Sequence, residues 1–198
     1  MISHAHKFIF IHIPKTAGDS IEREFGAWKL KNKEKCLVGM HKILNKPIHH
    51  FTIDELKKHD LISNNSFDYF KFCFVRNPYS RIVSAWKYLK KQSWTKVSED
   101  MSLKKFILQF QNYCHVRPQY NWTHTNEMKV VDFIGRFENL QQDFDFVCNK
   151  IGIPQRELPH KNKTKHKHYT EYYDDETRRI VAEKYSKDIE FFGYKFGD

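Results

Sequence analysis

Apolar residues in this chain fall into short runs closed by turn-forming residues, followed by stretches of helical period. Residues 7–13 (KFIFIHI) are such a run, ended by Pro14 and the small residues Thr16-Ala17-Gly18. Ile21, Phe25 and Trp28 then recur at i, i+4 and i+7, so the pattern predicts strand, turn, helix. Residues 29–47 are basic and irregular, with a short strand expected at 36–39. Thr52-Ile53-Asp54-Glu55 is a capping-box pattern and predicts a helix running to Lys58, with His49 and His50 just before its start. Residues 69–75 (YFKFCFV) predict a second strand that ends at Arg76. Asn77-Pro78 reads as an N-cap followed by proline at the first helical position, and Ile82, Val83, Trp86 and Leu89 supply the apolar stripe. Beyond it the pattern predicts a helix at 103–113, a third strand at 130–134 and a helix at 139–151 closed by Gly152. A basic loop at 153–168 and a closing helix at 174–192 complete the chain.

Strands alternating with helices imply an α/β fold with a parallel sheet covered on both faces. Ligands of such sheets sit at the carboxyl ends of the strands. Three features fall there: the 14–20 turn, Arg76-Asn77, and the loop around Arg136. The 198 residues show no linker, repeat or low-complexity tract, so residues 1–198 are expected to form a single domain.

Composition changes this picture in three ways. A formal net charge of +10 suits an anionic ligand, or only a solvated surface, and does not say which anion. Cys36, Cys73, Cys114 and Cys148 stand singly, which argues against a zinc ribbon, a thioredoxin motif or a disulfide framework. The apolar stretch at 8–13 is too short to span a bilayer and no leader pattern precedes it, so the expectation is a soluble, cytoplasmic chain with no membrane partner.

Two segments carry chemistry. In Pro14-Lys15-Thr16-Ala17-Gly18-Asp19-Ser20, a strand feeds a small-residue turn into a helix, exposing backbone N–H groups at the positive end of the helix dipole. Lys15 adds a charge, and Thr16 and Ser20 add hydroxyls. The segment is not a Walker A loop, and no acidic strand end suggests a magnesium partner, so no metal is expected. An ordinary connection is the plain alternative. In the second segment, Arg76 stands at a strand end, where its guanidinium can take a phosphate bidentately, and Ser84 follows two helical turns later. A salt bridge for Arg76 and close helix packing for Ser84 are the plain alternatives.

Together, FIHIPKTAGDSIE and FCFVRNPYSRIVSAW resemble the sulfotransferases that use 3′-phosphoadenosine-5′-phosphosulfate (PAPS), in their carbohydrate-type branch with the heparan sulfate 2-O-sulfotransferases. FIGRFENL at 133–140 and the tail from Leu158 extend the match from about residue 7 to the end. The resemblance implies a three-layer α/β/α sandwich with a central parallel sheet, like that of P-loop kinases. It implies transfer of a sulfuryl group from PAPS to a hydroxylated acceptor, with 3′-phosphoadenosine-5′-phosphate (PAP) as product. Lys15, Thr16, Ala17, Gly18, Asp19 and Ser20 would form the 5′-phosphosulfate loop, with Lys15 near the bridging oxygen. Arg76 and Ser84 would hold the 3′-phosphate. The basic loop with Lys163, Thr164 and Lys165 would close over the nucleotide. Asp19 departs from the Thr or Ser of relatives; a carboxylate there repels a phosphosulfate unless it points outward.

The reaction needs a base for the acceptor hydroxyl, and histidine titrates near neutrality. In similar proteins a histidine precedes the helix start, a position held here by His50, with His49 as the alternative. His160, His166 and His168 read as polar loop residues, with no carboxylate or cysteine at ligand spacing. Arg117 and Gln119 are candidates to face the acceptor. Competing readings are a catalytically silent PAP-binding protein, a P-loop-like nucleotide kinase, and a basic nucleic-acid-binding domain. The last lacks any recognisable module, so no nucleic-acid partner is expected.

Overall fold

A computed structural model describes residues 1–26, 40–41, 46–62, 66, 68–158 and 167–198. The strand expected at 36–39, and Lys163, Thr164 and Lys165, lie outside these residues. Along the chain run β1 (Ile2–Ser3), β2 (Phe8–Ile11), α1 (Gly18–Glu24), β3 (Met40–His41), β4 (Lys46–Pro47), α2 (Ile53–Lys58), β5 (Phe70–Val75) and α3 (Pro78–Lys90). Then come α4 (Leu103–Gln109), α5 (Tyr120–Thr123), β6 (His124–Thr125), β7 (Met128–Lys129), β8 (Phe133–Arg136), α6 (Leu140–Ile151), α7 (Asp175–Lys184) and α8 (Ser186–Phe192). Among the described residues no helix is long and apolar enough to cross a membrane. The chain divides into two units, Met1–Val75 with Asn121–Asn162, and Arg76–Tyr120 with Lys163–Asp198.

The first unit holds a four-stranded sheet in the order β1-β2-β5-β8. β2, β5 and β8 are parallel, as the alternation of strands and helices predicts, and the two-residue β1 adds an antiparallel edge. Phe8, Phe10, Phe72 and Phe74 share one face by the two-residue period of a strand. They pack on Ile21 of α1 and on Phe144, Val147, Cys148 and Ile151 of α6. Each such buried phenylalanine contributes about 1.5–3 kcal/mol. Ile9, Ile11, Cys73 and Val75 on the other face are buried as well, which explains why these strands read as continuous apolar runs.

The third strand starts at Phe133, later than the 130–134 expected from apolar content. Val130 donates its N–H to the Thr123 carbonyl (2.8 Å), extending the β6–β7 hairpin. Asp132 then bonds Lys71 twice, through its N–H to the carbonyl (2.7 Å) and its carboxylate to the N–H (2.6 Å). Regular pairing begins only after that clamp. α6 closes at Gly152 as expected, with φ 71°.

The second unit is helical. Asn77 caps α3 by accepting the Tyr79 N–H (3.0 Å), and Pro78 opens the helix, as predicted. Tyr79, Ile82, Val83, Ala85 and Leu89 pack against Leu103, Phe106 and Ile107 of α4 and against Val181 and Tyr185. α4 stops at Gln109 rather than at 113, because Phe110 turns into this core and stacks on Phe106. The single closing helix expected at 174–192 is two helices, α7 and α8, with a break at Tyr185 (φ −110°, ψ 27°). The break lets the buried Tyr185 donate its hydroxyl to the Val116 carbonyl (2.6 Å) while Asp188 accepts backbone N–H groups of Gln119 and Tyr120.

Candidate active site

After β2 the chain turns at Pro14 through two left-handed residues, Lys15 (φ 70°) and Ala17 (φ 69°), with Thr16 between them. Positive φ in a non-glycine residue costs on the order of 1–2 kcal/mol, and strain of this kind gathers at functional sites. Left-handed residues alternating with right-handed ones can turn successive N–H groups toward one point, a concavity that accepts an anion. Thr16 is fully buried, and its hydroxyl donates to the Ile13 carbonyl (2.8 Å), bracing the turn from inside. Lys15, Ala17 and Ser20 are half-buried. Asp19 lies in the first turn of α1 with its side chain 70% exposed. Gly18 is required by packing: a Cβ there would stand 2.1 Å from Cδ2 of His12.

His12 organises the floor of the turn. It is buried, and its Nδ1 shares a 3.1 Å hydrogen bond with the carboxylate of Glu22, also buried. Burial alone would raise the Glu22 pKa, but the hydrogen bond and charge of His12 outweigh it and hold the carboxyl below its ordinary value. His49 and His50 sit on a 3-10 turn, Ile48–His50, just ahead of α2. Their rings lie 5.2 Å and 5.1 Å from that of His12, centroid to centroid. His50 is buried and His49 half-buried. Burial, reinforced by His12, pushes the His49 pKa down to about 4. The predicted capping box is present in full at Thr52 and Glu55. Trp122 donates its indole N–H to the His50 carbonyl (2.9 Å), so the turn is tied down on both sides.

In the second unit, Arg76 directs its Nε and Nη2 to the Ser80 hydroxyl at 3.0 Å and 2.8 Å. Ser80 thus places its hydroxyl on the guanidinium. Ser84 is half-buried one turn further along the same face of α3. The Arg76 backbone is clamped by the Gln119 side chain, whose Oε1 accepts the Arg76 N–H (2.8 Å) and whose Nε2 donates to its carbonyl (2.8 Å). Gln119 is held in turn by Asp188, which accepts from its backbone N–H (2.9 Å) and its Nε2 (3.2 Å). Burial raises the Asp188 pKa, against the opposing pull of Arg81 and these N–H groups. Gln119 is therefore not an acceptor-facing residue: it is fully buried and positions Arg76. The Tyr173 hydroxyl donates to the Tyr79 carbonyl (2.8 Å), in keeping with a packing role.

Sequence reasoning missed His12, Glu22, Ser80 and Asp188. The available signal for His12 was a polar residue inside a buried apolar run. Ser80 follows Arg76 at helical spacing; nothing local marks the other two.

A profile of the sulfotransferase family matches residues 1–195. An uncharacterized protein of Archaeoglobus fulgidus is 36% identical over 88 residues, which cover 44% of this chain and 71% of that protein. A carbohydrate sulfotransferase 14 of Danio rerio is 22% identical over 98% of this chain; the chain spans 61% of that protein's length.

Proposed function

The chain belongs to the sulfotransferase family, and from that premise we propose that it moves the sulfuryl group of PAPS to a hydroxyl of a carbohydrate or similar acceptor, acting as one sulfotransferase domain. The acceptor oxygen attacks sulfur in line, the bond from sulfur to the bridging oxygen breaks, and PAP leaves. The acceptor proton passes to a base. The observation that carries this reading is the left-handed turn at Lys15 and Ala17. The backbone N–H groups that such a turn can present, with the Lys15 ammonium, suit the charge that develops on the departing phosphate. In this reading Lys15, Ala17, Gly18 and Ser20 hold the 5′-phosphosulfate, while Arg76, assisted by Ser80 and Ser84, holds the 3′-phosphate. The Asp19 side chain is 70% exposed, so solvent screens its charge from a phosphosulfate held in the turn. A carbohydrate acceptor is favoured by the similarity to a carbohydrate sulfotransferase over nearly the whole chain.

His50 is the proposed base. A histidine held near 4 accepts a proton weakly, which counts against His49 as the base. Calorimetric titration with PAP, with ATP and AMP as controls in magnesium-free buffer, tests the nucleotide site. Tight PAP binding with weak ATP binding is expected, followed by transfer from labelled PAPS to a hydroxylated acceptor. Equal affinity for PAP and ATP would remove the 3′-phosphate site and the reading with it.

A further inference from the structure

We propose that His12, His49 and His50 form a binding site for a divalent transition metal of the zinc class, with Glu22 as the carboxylate that orients His12. One ligand nitrogen from each ring lies within 4.8 Å of the other two. Three imidazoles around a tetrahedral zinc, at metal–nitrogen distances of about 2.0–2.1 Å, place their nitrogens about 3.3 Å apart. Small rotations of His49 and His50 close the difference toward a His12 ring that Glu22 holds in place. The cluster also has the outer support that metal-binding histidines require. Glu22 accepts from Nδ1 of His12 at 3.1 Å, and this selects the tautomer with its lone pair on Nε2. Asp19 Oδ1 stands 3.9 Å from that same Nε2 on an exposed side chain, where it can complete the coordination sphere or leave the place to water.

The charges favour a cation. Glu22 and Asp19 are the carboxylates whose fields reach His49. The backbone is held by β2, by the capping box of α2 and by Trp122, so the rings need little ordering on binding. An all-imidazole set selects zinc, cobalt, nickel or copper over magnesium or calcium. Under the function proposed above, a bound metal would also take up the lone pair of His50 and act as a brake on transfer.

The experiment is a titration of the metal-free full chain with Co2+, followed by visible absorption, then displacement by Zn2+ in a calorimeter. The expected result is one equivalent of Co2+ with the strong absorption of a four- or five-coordinate site, displaced by Zn2+. His49→Ala should weaken binding by about 100-fold or more, and Glu22→Gln by about 10–100-fold. Replacing the exposed His4, His6 and His168 together should leave it unchanged. His49 is half-buried on a surface turn, so His49→Ala decides the matter even where His12→Gln fails to fold. Unchanged Co2+ affinity in His49→Ala, or only weak binding of several equivalents by the parent chain, overturns the proposal. Binding is read without turnover, so its failure and that of the sulfuryl-transfer reading are separate results.

Discussion

The turn at residues 14–20 and the helix start at Arg76 both follow a buried strand, yet they are built from different materials. The turn works through its backbone: two left-handed residues, a glycine pressed against His12, and a threonine bonded inward. The helix start works through side chains: a cap from Asn77, a proline, and an arginine held by Ser80 and Gln119. Strain concentrates in the first and is absent from the second, where no positive φ occurs among residues 76–90. A strained backbone can present N–H groups that do not depend on side-chain identity. A relaxed helix start must use side chains to select its ligand. Under the function proposed above, the turn would stabilise charge and Arg76 would discriminate between ligands.

Substitutions can break or sharpen this contrast. The largest expected effect is His50→Ala, beside the turn: transfer should fall about 10²–10⁴-fold while PAP affinity stays the same. Labelled PAPS turnover and calorimetry read the two quantities, and retained turnover would move the base elsewhere. Gly18→Ala forces a Cβ onto the His12 ring, which its bond to Glu22 keeps from retreating. A loss of about 3 kcal/mol is expected in urea denaturation, at the upper end for overpacking. Arg76→Ala should weaken PAP about 10–100-fold and leave AMP binding unaffected, the signature of a side-chain selector. Equal losses for both nucleotides would erase the distinction between the two regions.

A pH series sharpens the picture of the turn's floor. The His49 pKa is lower in the folded chain (about 4) than its ordinary 6.5, so between these values the unfolded chain binds more protons. Stability should therefore be intact above about 6.5 and should decline as pH falls toward about 4, with a slope approaching one proton that His49→Gln removes. The smallest effect is a gain: Ala17→Gly relieves a left-handed alanine and should stabilise the fold by about 0.5–1 kcal/mol in the same denaturation assay.

What was legible in the sequence is what neighbouring residues decide. The caps at Thr52 and Asn77, the stop at Gly152 and the apolar strands 8–11 and 70–75 all follow from short-range rules, and all are present. The late start of β8 depends on Asp132 reaching Lys71, and the break at Tyr185 depends on Val116; neither partner is near in the chain. The same holds at the candidate site. The lysine turn and Arg76 announce themselves by composition at strand ends. Glu22 under His12, and Gln119 and Asp188 behind Arg76, are specified only once the chain has folded.

The contact between Gly18 and His12 has an evolutionary consequence. With 2.1 Å between a would-be Cβ and the imidazole, positions 12 and 18 cannot drift independently. A lineage that acquires a side chain at 18 must first or simultaneously shrink residue 12, and so surrender the partner of Glu22. The two sites form a ratchet: glycine at 18 permits histidine at 12, and histidine at 12 then forbids any return from glycine.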